Sequence, residues 1–188
     1  MILAMLADAG IPMIVVQWPL MFAALIPVIV IEALLIRRWI ELSYRDAFFG
    51  ITIANCLSTL AGFPLAWLVM FALEMGVMLP MALAADKWHW HFFDSPFFQI
   101  ISFPLTVAWL GPSEWAGNWL VPLAAALLLI PSFYVSVWLE NFVCRKTWPD
   151  IDVKIIRRGV YRANLVSYVM LFVLACGWAG LEFCLEKR

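Results

Sequence analysis

Four blocks of roughly 20 or more apolar residues constrain this chain more than any other feature, because each is long enough to cross a hydrocarbon layer about 30 Å thick. They run over 11–36, 47–73, 118–139 and 160–179. At 1.5 Å of rise per residue every block spans such a layer as a helix, the first two with some tilt. The first block stops at Arg37-Arg38, whereas a cleavable signal peptide carries its positive charge before the apolar stretch, so this block is read as a retained span. Composition agrees: the 188 residues are 65% hydrophobic and only 13% charged, too little charge to cover a soluble globule and too much apolar surface for disorder. The predicted fold is all-α, a polytopic transmembrane helical bundle forming one membrane domain over 1–188.

The basic residues orient it. Nine of the twelve Lys and Arg are Arg37, Arg38 and Arg45 in one loop and Arg145, Lys146, Lys154, Arg157, Arg158 and Arg162 in another, while 74–117 holds only Lys87. By the positive-inside rule both basic loops are cytoplasmic and both termini extracytoplasmic, in a multi-pass protein of the cell inner membrane. The chain then divides into a first hairpin at 11–73, an outer-face insertion at 74–117 and a second hairpin at 118–181. Four spans are expected, with the Trp-rich insertion partly re-entrant or interfacial; six spans would bring the DKWHWHFFDS turn to the cytoplasm with one lysine to hold it there. The lipid bilayer is the first partner implied. A formal net charge of −1 gives no positive field for nucleic acid.

The two hairpins share a pattern. Glu32 precedes the first basic turn and Asn55 and Ser58 follow it; Glu140 precedes the second, followed by Asn164, Ser167 and Tyr168. Both copies cross in the same direction, so a repeat here would be parallel, about an axis along the membrane normal. A carboxylate or carboxamide among apolar residues needs a partner, so the glutamates are expected to face protein or the cytoplasmic interface near Arg37, Arg38, Arg157 or Arg158. Spacings of three and four put each Asn, Ser and Tyr on one helix face, suited to interhelical hydrogen bonds. These residues are the candidates for helix packing or partner contact.

Trp88, His89, Trp90 and His91 form the other concentrated feature, in the outer insertion. Two histidines at i and i+2 converge on a metal only if extended, and in a helix they diverge; among tryptophans they read as interfacial or partner-contact residues. No metal-binding, cofactor-binding or catalytic residue is assigned: the four cysteines are widely spaced, and no nucleophile-elbow, phosphate-loop or dinucleotide motif occurs. The second basic loop interleaves its charges with Trp148, Ile151, Val153, Ile155 and Ile156, a pattern suited to an anionic inner surface or a cytoplasmic partner.

The segments IPVIVIEALLIRRW, ITIANCLSTLAGFPLAWLVMF and YRANLVSYVMLF resemble the filament integrity membrane proteins of cyanobacteria, over 25–73 and 158–175. The resemblance rests on the glutamate before a basic turn and the Asn-x-x-Ser in each of two spans; the Trp-His-Trp-His run has no counterpart in it. It implies a small integral membrane protein of septal cell-to-cell junctions, without catalytic residues, in which Glu32, Asn55, Ser58, Asn164, Ser167 and Tyr168 are structural. The leading expectation is therefore a non-enzymatic structural or assembly component, a homo-oligomer or a unit among other membrane protein subunits. The alternatives are a transporter or channel subunit and, on His89 and His91 alone, the membrane subunit of a metal or redox complex.

Overall fold

A computed structural model describes residues 13–88 and 119–187. They form an all-α, four-helix bundle: α1 (Met13–Ile40), α2 (Tyr44–Trp88), α3 (Leu120–Thr147) and α4 (Val153–Glu186). Neighbours along the chain pack together and α4 closes the ring against α1, while the diagonal α1–α3 pair barely meets. Among the described residues two helical stretches, Ala125–Thr147 and Val153–Glu186, are long and apolar enough to cross a membrane.

The two described loops, 41–43 between α1 and α2 and 148–152 between α3 and α4, are short and chemically alike. α1 ends as Glu41 turns into the left-handed region at φ 57°, a common stop for a helix though usually taken by glycine. Ser43 then starts α2: its Oγ accepts the Asp46 amide at 3.1 Å and donates to Asp46 Oδ2 at 2.6 Å, a side-chain cap that satisfies an otherwise unpaired first-turn N–H. At the corresponding place Asp152 Oδ1 accepts the Lys154 amide at 2.8 Å and starts α4. Ser43 and Asp152 each stand twelve residues before the asparagine of their hairpin.

The second block is longer as a helix than as an apolar run. α2 continues through Glu74 and Pro80 to Trp88, 45 residues and about 67 Å in all. Glutamate interrupts hydropathy but is a good helix former, so the end of an apolar run is not the end of a helix. Residues 74–88 are thus an extension of α2, and 89–118 lie outside the described residues.

The apolar core sits at the loop end of the bundle. Ile36 from α1, Ile51 from α2, Cys144 from α3 and Ile156 and Val160 from α4 are fully buried there, with Trp148 closing the side. Close approach is made possible by two glycines. A Cβ on Gly50 would enter the Trp148 ring, its Cε2 lying at 2.9 Å, and a Cβ on Gly159 would meet Ile40 Cδ1 at 3.0 Å. The exchange is reciprocal: Gly50 and Gly159 each stand five residues before their asparagine, and Ile40 and Trp148 each eight after their glutamate. Each hairpin therefore presses its large residue onto the other's glycine.

On the outside the pattern of an aqueous protein is inverted. The most exposed large side chains include Ile26, Leu60, Tyr134, Val173 and Leu181, whereas the buried polar residues are Glu32, Asn55, Ser58, Ser136, Glu140, Asn164 and Ser167. A face of this kind fits lipid or another apolar surface rather than water.

Candidate functional site, a reciprocal carboxyl layer

Just beyond the apolar plug, every helix delivers one or two polar side chains to a common layer. α1 brings Glu32, α2 Asn55 and Ser58, α3 Glu140, and α4 Asn164 and Ser167, none of them more than 3% exposed. Asn55 Nδ2 donates to Glu32 Oε2 at 2.7 Å, and Asn164 Nδ2 to Glu140 Oε2 at 2.6 Å. Each carboxamide also donates to the carbonyl one turn earlier in its own helix, Asn55 to Ile51 at 3.2 Å and Asn164 to Val160 at 3.1 Å, which fixes its rotamer. These bonds stay within a hairpin.

The serines cross between hairpins. Ser58 Oγ donates to Glu140 Oε1 at 3.0 Å, and Ser167 Oγ donates to Glu32 Oε1. Every carboxyl thus takes one donor from its own hairpin and one from the other, and the four bonds tie all four helices together. Each serine also lies against the carbonyl of its own asparagine, at 3.1 Å for Ser58 and 3.0 Å for Ser167, so Asn and Ser are held as a unit three residues apart. The two glutamates are neighbours at the centre of the layer, each completed by a serine of the other's hairpin.

The spacing of the sequence is therefore met in space: Glu32, Asn55, Ser58, Glu140, Asn164 and Ser167 come together. The arginines do not join them. Both carboxyls are met by neutral amides and hydroxyls, while Arg37 and Arg38 are exposed and the Arg37 guanidinium lies 4.0 Å over the Tyr44 ring. Five residues along a helix carry Arg37 about 7.5 Å further and 140° around from Glu32, out of reach of the layer. Of the two placements the sequence left open, protein or the interface near the arginines, the glutamates take the first.

Tyr168, the remaining sequence candidate of α4, lies beside the layer rather than in it. Its hydroxyl pairs with Ser136 at 2.7 Å, and its ring meets Phe133 edge-to-face at 5.4 Å, fastening α4 to α3. Ser136 is the one buried polar residue of the interior that no sequence spacing singled out, because the second hairpin alone carries it. Trp88 is the last residue of α2, and His89, Trp90 and His91 lie outside the described residues. Among the described residues no group of three His, Cys, Asp or Glu side chains could hold a metal.

Beyond the layer, away from the loops, the bundle holds a half-open cavity of about 300 Å³. Asn55, Ser58, Ser136 and Tyr168 give it a polar floor, and its walls are apolar, among them Leu25, Gly62, Leu128 and Trp178. Toward the loops the buried Ile36, Ile51 and Ile156 leave no continuation. At the loop end itself Arg145, Lys146, Lys154, Arg157, Arg158 and Arg162 are all exposed, interleaved with exposed Val153, Ile155 and Tyr161. No protein-family model, curated protein or solved structure matches the chain.

Proposed function

We propose that this chain is a non-enzymatic assembly component of a membrane protein complex, in which all four helices cross the bilayer and the unit packs with copies of itself or with other membrane subunits. The observation that carries this reading is the reciprocal layer: the interior polar groups are turned on one another across the two hairpins, where they set register and hold the bundle as one body. Interhelical hydrogen bonds of this kind contribute only about 1 kcal/mol each in a membrane, yet they discriminate strongly between helix registers. What the unit offers outward is an apolar flank and, at the loops, a basic rim interleaved with aliphatic and aromatic residues. The basic loops are assigned to the cytoplasm of an inner membrane and the termini to its outer side. The family resemblance supports septal cell-to-cell junctions as the place of assembly.

The test is mass in the native membrane. Extraction in mild detergent or in native nanodiscs, followed by mass photometry, is expected to give a species substantially larger than one 21.4 kDa chain. A single chain in both preparations would overturn the assembly role.

A transport or channel subunit is the second reading, and the cavity favours it. In that reading, purified protein in vesicles conducts a solute, and the flux falls when Asn55 and Asn164 are replaced by leucine. Unchanged flux in the double variant removes it.

A further inference from the structure

The carboxyl layer has more acceptors than donors. Each of the four oxygens of Glu32 and Glu140 receives one hydrogen bond, every one from a neutral amide or hydroxyl, although an ionised carboxylate oxygen accepts two. A fifth acceptor stands beside them: the Asn164 carboxamide that reaches Glu140 is wholly buried, and its Oδ1 has no partner. Among the described residues none with a positive charge faces the layer. α1 presents only Glu32, α2 only the neutral Asn55 and Ser58, α3 Glu140 with the Cys144 thiol one turn on, and α4 Asn164 and Ser167 with the Tyr168 hydroxyl next to them. Two neighbouring buried carboxyls cannot both stay ionised without a counter-charge.

We propose that this layer is a binding site for one monovalent cation, a hydron or an alkali-metal ion, held between the carboxyl groups of Glu32 and Glu140. Such a cation supplies what both carboxyls and the orphan oxygen lack, and leaves one negative charge spread over four donors. Because Glu32 belongs to one hairpin and Glu140 to the other, the bound cation joins the two halves.

The experiment uses the full chain in lipid nanodiscs at neutral pH. Infrared difference spectra between wild type and Glu140→Gln read the carboxylic acid C=O stretch, and calorimetric titration with sodium or potassium chloride, against choline chloride at constant ionic strength, reads alkali-ion binding. A carboxylic acid band lost in Glu140→Gln identifies a hydron; one alkali ion per chain, lost in the same variant, identifies a metal cation. Glutamine keeps the shape of the side chain and brings its own donor to Glu32, and circular dichroism checks that the variant folds; Glu32→Gln serves if it does not. Wild-type protein with neither the band nor alkali binding, or with a signal that both variants leave unchanged, overturns the proposal.

Discussion

Ser58 and Ser167 each satisfy a carboxyl that belongs to the other hairpin, so their removal has effects at a distance in sequence. Ser58→Ala leaves Glu140 Oε1 without its donor, and Ser167→Ala does the same to Glu32 Oε1; each is expected to cost about 1–3 kcal/mol, the usual penalty for uncovering a buried polar group. Reversible unfolding in detergent reads the loss. A double-mutant cycle should couple Ser58 to Glu140, 82 positions away, more strongly than to Glu32. Equal coupling to both glutamates would contradict the crossed arrangement. The sequence made all six residues of the layer visible, because a carboxylate or carboxamide in an apolar run must be paired. It did not make the crossing visible: a spacing of three or four residues tells which side chains share a helix face, not which neighbour that face meets. Nor could it tell that the glutamates would find amides and serines before arginines, since that depends on the direction in which Glu32 and Arg37 leave the same helix.

Among the helices, the glycine contacts decide how near α2 approaches α3 and α4 approaches α1. The two are not equally tolerant. Gly50→Ala drives a methyl into the Trp148 ring, a rigid neighbour, and is expected to destabilise by about 1–3 kcal/mol; Gly159→Ala meets only the movable ends of Ile40 and Ile36, and its gain of up to about 1 kcal/mol in helix propensity offsets most of the cost. Thermal unfolding of the two variants side by side distinguishes them, and equal losses would count against the Trp148 contact. Both glycines keep the same offset from their asparagine, so the signal was present in the chain. A glycine offset of this kind is weak in sequence, because glycine is common in apolar helices whether or not a large side chain lies against it. The extension of α2 to Trp88 was hidden for a different reason: hydropathy reports where lipid could surround a helix, and a helix continues wherever its backbone bonds continue.

For the whole molecule, the placing of the core, layer and cavity in sequence from the loop end outward makes a topological prediction. Cysteines introduced at Leu42 and Asp150, one in each interhelical loop, should react with an impermeant thiol reagent from the same face of the membrane, and a cysteine at Glu114 from the opposite face. Labelling of Leu42→Cys and Asp150→Cys from different faces would rule out the paired-hairpin topology. The all-α bundle itself was legible in four apolar blocks of helical length, whereas the orientation expected from nine basic residues is what this labelling tests. The cavity was not legible, since it depends on how far the helices diverge past the layer.

The crossed serines also bear on how such a chain can change by descent. A first hairpin facing a copy of itself would offer the same bargain, its glutamate completed by the copy's serine. The two halves of the present chain are tied to that arrangement: a serine lost from one hairpin is felt at the glutamate of the other, and compensation has to arise in the opposite half. Here the partners Glu32 and Ser167, like Glu140 and Ser58, form pairs that must be inherited together even though one member lies in each half.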